Sequence, residues 1–197
     1  MRLQINKKIL VYISFFILFS TLNNDNFFKI KFNGINQINI NGLSEDENLK
    51  IQKKLNVLEN KNLLFLDKKQ IKKYLDSNNI IENYTIFKKY PSSLEININK
   101  TNFLANVYQE EKIYFLGSNG KLIKTNKLEK NLPSIFGDFK TKNFFELKDA
   151  MLESNFNFSD IKNLYFFKSG RWDIETKQGL LIKLPHKDLK KAFEIFI

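Results

Sequence analysis

The sequence contains no cysteine among its 197 residues. This absence excludes disulfides, thiolate nucleophiles, cysteine-bound zinc ribbons and iron–sulfur clusters. It leaves the compartment open, because a reducing cytoplasm and an exported domain built without disulfides fit it equally well.

Arginine is scarce as well: the two arginines are Arg2 and Arg171, although the chain has 32 basic residues and a formal net charge of +11. Proteins that bind nucleic acids rely on arginine for bidentate contacts with phosphate and guanine. The lysines are spread along the chain instead of forming one basic tail. Nucleic acid is therefore not expected as a partner, while a general attraction to anionic surfaces, including membrane headgroups, stays open.

Residue patterns that carry catalysis are missing too. The one histidine, His186, follows a proline, and the chain has no GxSxG, HExxH or EF-hand pattern. The segment from Gly117 to Lys121 lacks the spacing of a phosphate-binding loop and predicts a hairpin turn instead. Carboxylates at predicted helix starts, such as Asp67, are explained by capping. The sequence therefore predicts no enzyme, no catalytic residue, no cofactor and no metal ion.

What the chain does have is an uncharged apolar run near its N-terminus, Ile9–Leu22, preceded by three basic residues. The run is short for a membrane span, which takes about 17 to 25 residues. A cleaved signal peptide and a buried core helix are the alternatives, but the run is followed by a poor cleavage site and shows no polar face. We predict a cytoplasmic tail over residues 1–8 and a single transmembrane helix over residues 9–23, in contact with the lipid bilayer.

Residues 33–102 predict a small domain with the element order β-α-α-β-β. Ser44 and Glu47 have the spacing of a capping box, and an apolar helical face with i, i+4, i+7 spacing follows them. Leu94 and Ile96 belong to the most strictly alternating segment of the chain, which predicts a half-buried strand. Gly42 ends the first strand, and Leu94 and Ile96 are expected to build the core.

Residues 103–197 predict a mostly antiparallel β domain with helices. Glycine-containing joints predict successive hairpins, residues 132–137 predict a loop, and Asn143 is expected to cap a helix. Arg171 and Trp172 open a strand in which the indole is expected to be buried. The sequence stops at Ile197 within an apolar helical pattern and without a C-cap, so we expect this domain to be incomplete at its C-terminus.

Several motifs occur in the order typical of one bacterial family. They are a strand ending at Gly42, the segment Leu64–Asp67, the hairpin Ile86–Ile96 with Tyr90-Pro91 at its turn, Leu132–Gly137, and Arg171-Trp172 followed by Gly179. Together with the apolar N-terminal run, they resemble the FtsQ/DivIB family of bitopic cell-division proteins.

The resemblance implies an α+β fold with one N-terminal membrane helix, an FtsQ-type POTRA domain and a C-terminal β domain. It implies a non-enzymatic scaffold of the divisome, which links other divisome membrane proteins during septum formation. The protein would lie in the bacterial inner membrane at the septum, with its N-terminus in the cytoplasm and most of the chain in the periplasm. Free strand edges would bind partners by β-augmentation. The accessible hairpin tip Lys88, Lys89, Tyr90 and Pro91 is the candidate partner contact.

Two other functions fit the same sequence. One is an exported lysine-rich module that binds the envelope or nucleic acid, and the other is an unrecognised periplasmic enzyme. Binding to phosphate weakens steeply with salt whereas strand pairing does not, so a salt titration separates the scaffold from the lysine-rich module.

Overall fold

The computed structural model describes residues 7–22 and 34–196. The helices and strands in chain order are α1 (Lys7–Leu22), β1 (Gln37–Asn41), α2 (Glu45–Leu55), α3 (Lys68–Asp76), β2 (Ile81–Lys89), β3 (Ser93–Lys100), β4 (Phe103–Gln109), β5 (Lys112–Gly117), β6 (Leu122–Thr125), β7 (Ser134–Phe136), α4 (Thr141–Glu153), β8 (Ile161–Phe166), β9 (Trp172–Thr176), β10 (Leu181–Lys183) and α5 (Leu189–Phe196). Short 3₁₀ turns cover Asn56–Leu58 and Phe158–Asp160. The chain forms two units, Met1–Lys68 with Ile86–Ile96 and Lys69–Thr85 with Asn97–Ile197.

Helix α1 covers most of the predicted membrane segment, whereas residues 1–6 of the predicted tail and residue 23 of the predicted span lie outside the described residues. Residues 7–20 of the helix are all exposed. None of the helices in the described ranges combines the length and the apolar character needed to cross a membrane. The predicted transmembrane helix is therefore not confirmed.

The three-stranded sheet has the strand order β1-β3-β2, and its elements follow the predicted order β-α-α-β-β. Helix α2 begins after Ser44, whose N–H donates to the Glu47 carboxylate at 3.2 Å, as the capping box requires. Its apolar face, with Ile51 and Leu55, is buried. Helix α3 begins directly after Asp67. The helical spacing in the sequence therefore placed both helices correctly.

The seven-stranded sheet has the strand order β10-β9-β8-β7-β4-β5-β6. It is mixed, because β7 pairs parallel with both β4 and β8 while the other neighbours are antiparallel. The prediction of a loop over residues 132–137 is wrong at this point, since Ser134–Phe136 forms a central strand. Three residues are too few for an alternating pattern to stand out in the sequence.

One face of the seven-stranded sheet builds the core of the second unit. Residues in register across five strands are all buried: Val107, Ile135, Leu164, Ile174 and Ile182. Phe144 and Leu147 of α4 and Phe193 of α5 belong to the same buried cluster. Helix α4 begins at Thr141, before the predicted cap, and the Asn143 side chain accepts a hydrogen bond from the Lys140 N–H at 3.2 Å.

The glycine-rich segment between β5 and β6 is a hairpin turn, as the sequence predicted. Gly120 has φ +74°, a left-handed conformation that favours glycine. The Asn119 amide donates to the carbonyls of Asn79 and Ile81, both at 2.9 Å. Lys121 Nζ donates to the Asp76 carbonyl at 2.5 Å. The lysine of the apparent phosphate motif is thus bonded to main chain of the same unit.

Candidate interaction surfaces

The tip of the β2–β3 hairpin is accessible. Tyr90 is 54% exposed, Pro91 is exposed, and the peptide bond between them is cis. Lys89 is exposed and forms an ion pair with Glu95 across the hairpin. Because an exposed ion pair holds its partners weakly, Lys89 can exchange Glu95 for another acceptor.

Lys88 differs from its three neighbours in the predicted contact. It is half-buried, and its ammonium donates to the main-chain carbonyls of Leu64 and Leu66 at 3.1 and 3.0 Å. These bonds hold the segment that precedes α3 against β2. Lys88 therefore has a structural contact inside the first unit, which the sequence pattern did not reveal.

Side chains occupy main-chain acceptors on both edge strands of the three-stranded sheet. On β2, the ammonium of Lys68 donates to the carbonyl of Ile86 at 2.9 Å. On β1, the Gln52 amide donates to the carbonyl of Ile38 at 2.9 Å. Edge strands protected by side chains or loops are poor templates for strand addition.

The predicted structural residues of the first unit lie at a turn and in the core. Gly42 has φ +108° directly after β1, a conformation that an L side chain rarely adopts. Leu94 and Ile96 on β3 have no exposed surface. Both therefore contribute to the hydrophobic core.

At one edge of the seven-stranded sheet, β10 pairs with β9, and no other strand in the described residues lies beside it. The Leu184 N–H donates to the carbonyl of Trp172, and the Thr176 N–H donates to the carbonyl of Leu180, so these are hydrogen-bonded positions of the β9–β10 pair. Hydrogen-bonded and non-hydrogen-bonded positions alternate in an antiparallel pair. The main-chain groups of Leu181 and Lys183 therefore point away from β9, and the Leu181 side chain beside them is 51% exposed.

The opposite edge of this sheet is β6, which is partly covered. The Gly117 N–H donates to the carbonyl of Lys121, which makes these two residues a hydrogen-bonded pair. Because such positions alternate along an antiparallel pair, the main-chain groups of Leu122 and Lys124 point away from β5. The Asn79 amide donates to the outward carbonyl of Leu122 at 2.7 Å. Among the strands of residues 34–196, β10 is therefore the more open of the two edges of this sheet.

Arg171 and Trp172 lie side by side but differ in environment. Trp172 is 2% exposed and its ring packs on Phe139 and Phe166, with ring centroids 5.7 and 4.7 Å apart. The Arg171 guanidinium donates through Nε and a terminal nitrogen to the two carboxylate oxygens of Asp173, at 2.9 and 3.3 Å, and lies over the Phe167 ring. The expected burial of the indole is thus what the structure shows.

The sheet face opposite the core carries an arrangement that sequence reasoning missed. Tyr108, Phe136 and Tyr165 stack across β4, β7 and β8, with centroid distances of 4.9 and 5.3 Å. Because the middle ring belongs to the strand that was predicted as a loop, no pattern pointed to the stack.

Beside this stack, Glu175 accepts hydrogen bonds from three side chains. The donors are the Lys162 ammonium at 2.8 Å, the Asn163 amide at 2.9 Å and the Tyr165 hydroxyl at 3.0 Å. These bonds, with Lys162 as the largest contribution, lower the pKa of the Glu175 carboxyl to about 2. The same carboxylate raises the pKa of Lys162.

A cleft of about 440 Å³ lies where β4 ends and where the chain leaves β7. Its lining is Tyr108, Gln109, Glu110, Tyr114, Gly137 and Asp138. Gly137 has φ +104°, and an added Cβ would lie 2.2 Å from the carbonyl oxygen of Phe166. Glycine is therefore needed where this wall of the cleft turns against β8.

Within residues 7–22 and 34–196, no group of three or more histidine, cysteine, aspartate or glutamate side chains is arranged to hold a metal ion. His186, the one histidine, lies against the main chain of Gly170. The candidate surfaces in the second unit include the β10 edge and the cleft beside Gly137, and the first unit contributes the hairpin tip.

Two family models match the chain in succession. Residues 33–100 match the POTRA domain, FtsQ-type, and residues 105–197 match the C-terminal domain of the cell division protein FtsQ/DivIB. The two matches follow one another along most of the chain, including both sheets.

Among curated proteins, the chain is 28% identical over 166 residues to the cell division protein FtsQ of Bradyrhizobium diazoefficiens. The alignment covers 80% of this chain and 47% of that protein, so the chain spans about half the length of the curated relative that it matches. Among solved structures, the major extracytoplasmic domain of the trans isomer of the cell division protein DivIB from Geobacillus stearothermophilus matches with a TM-score of 0.36 and 12% identity, covering 48% of this chain and 87% of that chain. At that score, the overlap carries no argument about function.

Proposed function

Because the chain belongs to the FtsQ/DivIB family of bacterial cell-division proteins, we propose that it is a non-enzymatic scaffold that links division proteins during septum formation. Residues 33–102 would serve as the POTRA domain and residues 103–197 as the C-terminal β domain. The partners would be other membrane proteins of the divisome. The related protein from Bradyrhizobium diazoefficiens, whose name states a role in cell division, supports this assignment.

The β10 edge carries the proposal for how partners bind. Leu181 and Lys183 direct main-chain donors and acceptors outward, and Leu180 and Leu181 are about half exposed beside them. A partner segment that added one strand here would gain main-chain hydrogen bonds, and its apolar side chains would cover the leucines. The lysine on the same strand keeps the edge soluble while it is unoccupied.

The β2–β3 tip is the second proposed contact. Lys89, Tyr90 and Pro91 are exposed, and their side chains are available to a partner. Lys88 also belongs to the predicted contact, but its ammonium is bonded to the carbonyls of Leu64 and Leu66, so its role in the proposal is to stabilise the hairpin. The proposal therefore assigns direct partner contact to Lys89, Tyr90 and Pro91.

Helix α1 is the proposed membrane attachment. Its exposed apolar side chains, including Phe16 at 75% and Phe19 at 67%, have no protein surface to cover them among the described residues. Lipid removes such side chains from water. The N-terminus would lie in the cytoplasm and both sheets in the periplasm at the bacterial inner membrane. Carbonate-resistant membrane association of the full chain, lost when Phe16 and Phe19 are both replaced by lysine, is the expected outcome.

A proline substitution on each edge of the seven-stranded sheet tests the scaffold proposal. Lys183→Pro removes an outward N–H from β10 without removing a ladder bond, and Lys124→Pro does the same on β6. Tagged copies of both variants are compared with the wild type for septal fluorescence, for co-purified division proteins and for thermal melting.

We expect Lys183→Pro to lose a co-purified partner while its melting temperature stays near that of the wild type. Lys124→Pro should retain the partner. Loss in both variants or in Lys124→Pro alone would contradict the assignment to β10. If cells without the protein grow normally and still recruit the other division proteins to the septum, the role in division itself is contradicted.

A further inference from the structure

The turn that precedes α3 exposes two consecutive apolar side chains. Leu64 is 47% exposed and Phe65 is 80% exposed, whereas the neighbouring Leu63 is buried. The buried leucine fixes the start of the turn in the first unit, and the next two side chains extend into solvent. Contact with a partner would remove them from water, which is favourable for apolar groups.

The main chain of this turn is hydrogen-bonded by side chains of the first unit. The Leu64 N–H donates to the side-chain oxygen of Asn62 at 2.8 Å. The Lys88 ammonium donates to the carbonyls of Leu64 and Leu66 at 3.1 and 3.0 Å. A main-chain polar group that enters lipid without a partner is strongly unfavourable. These bonds therefore lower the free-energy cost of bringing the turn into contact with a bilayer.

Positive charge accompanies the turn. From Lys61 to Lys73 the sequence has five lysines and one acidic residue, Asp67. The Lys88 ammonium also lies 3.1 Å from the Leu64 carbonyl. Lysines near an anionic bilayer favour binding, and their ammonium groups stay among the headgroups while apolar side chains enter more deeply. The charges therefore favour an anionic lipid surface over the apolar surface of another protein.

The chain from α1 enters the first unit directly beside this turn. Gly34 forms a β-bridge with Asn62, two residues before Leu64. Residues 23–33, which lie outside the described residues, join α1 to Gly34. A segment of that length reaches at most about 40 Å even when fully extended. A bilayer that holds α1 is therefore kept at a high effective concentration near the turn.

We infer that the Leu64–Phe65 turn inserts its two side chains into the headgroup region of an anionic bilayer, while the surrounding lysines contact lipid phosphates. The inference rests on the proposed attachment through α1 and adds a peripheral contact between the first unit and the same membrane. It does not involve the β10 edge.

The test uses the full chain reconstituted into vesicles and carrying one nitroxide label. Because the chain has no cysteine, Leu64→Cys supplies a unique attachment site beside Phe65. One set of vesicles consists of phosphatidylcholine with about one third phosphatidylglycerol, which is anionic, and the other of phosphatidylcholine alone. Collisions of the label with oxygen, which concentrates in lipid, and with a water-soluble nickel chelate give the ratio of lipid-exposed to water-exposed label. Flotation measures how much of the chain is attached to the vesicles.

Phe65→Asp is the test variant, and Leu152→Asp is its control, because Leu152 on α4 is 77% exposed and lies outside the turn. In anionic vesicles we expect a lipid-exposed label, and in neutral vesicles a ratio at least about fivefold lower, as the loss of lysine–headgroup attraction requires. Phe65→Asp should lower the ratio in anionic vesicles at least about tenfold. Leu152→Asp should leave it unchanged, and thermal melting confirms that each variant is folded.

The inference fails if the chain floats with the vesicles while the label stays exposed to water, an outcome that leaves the attachment through α1 intact. A chain that floats with neither kind of vesicle would contradict that attachment and the inference together. Equal ratios in anionic and neutral vesicles, or equal ratios for the folded Phe65→Asp variant and the parent, would also overturn the site. A label shielded from both oxygen and the nickel chelate would show that a second copy of the chain covers the turn, against the inference.

Discussion

The edge strands of the two sheets differ in whether their outward main-chain groups are hydrogen-bonded. In the three-stranded sheet, Gln52 occupies a main-chain acceptor on β1 and Lys68 occupies one on β2. In the seven-stranded sheet, Leu181 and Lys183 on β10 leave their main-chain groups directed outward. Open edges are a hazard for soluble proteins and an opportunity for specific binding. On this difference we base the proposal that partners bind by strand addition at the second sheet and by side-chain contact at the first.

Removing core side chains tests whether both sheets depend on burial to the same extent. Trp172→Ala should destabilise the protein by about 3–5 kcal/mol, because a fully packed indole leaves a cavity. Ile96→Asp should cost about 3 kcal/mol or more, since it buries a charge that has no partner. Denaturant unfolding measures both changes.

Exposed positions provide the controls for these two substitutions. Leu152→Ala on α4, where the side chain is 77% exposed, should change stability by under about 0.5 kcal/mol, and Thr85→Asp on β2, an exposed strand position, by about 1 kcal/mol or less. Equal losses at buried and exposed positions would contradict the packing described for the sheets.

Lys88→Met sharpens the comparison at the covered β2 edge. The substitution keeps the apolar stem but removes the ammonium that donates hydrogen bonds to two carbonyls. We therefore expect the free energy of unfolding to fall by about 1–2 kcal/mol. The substitution should also increase self-association, as the Leu64–Leu66 segment loosens from the edge strand. Lys89→Met removes an exposed ion pair instead and should cost under about 0.5 kcal/mol. Thermal melting and sedimentation measure these effects, and similar results for both lysines would contradict the separate roles.

The smallest expected effect is a pH dependence of stability that arises from Glu175, on the face of the seven-stranded sheet opposite the core. Because the folded pKa of Glu175 lies at about 2, below its ordinary value of 4.5, the carboxylate stabilises the fold fully above pH 4.5. This contribution is lost as the pH falls from 4.5 through 2. Glu175→Gln should therefore flatten the stability profile in that window, as measured by urea unfolding at successive pH values. Glu194→Gln is the control, and an unchanged slope in Glu175→Gln would contradict the shift.

Local sequence patterns were sufficient for the elements that bury one regular face. The capping box at Ser44 and the spacing of Ile51 and Leu55 determined α2, because a helix follows from interactions within a few residues. The alternation around Leu94 and Ile96 determined β3 for the same reason. The turn between β5 and β6 was also predictable, since Gly120 needs a left-handed conformation.

Tertiary structure decided the features that depend on distant neighbours. β7 is a strand because β4 and β8 supply hydrogen bonds on both of its sides. A segment of three residues is too short for its own sequence to predict this pairing. Lys88 and Lys89 are adjacent and chemically identical, yet the carbonyls near Lys88 and the carboxylate near Lys89 give them different roles. The cleft joins Glu110 to Asp138 across 28 positions of sequence. Periodicity records which face a residue buries, whereas packing alone determines which distant groups share a surface.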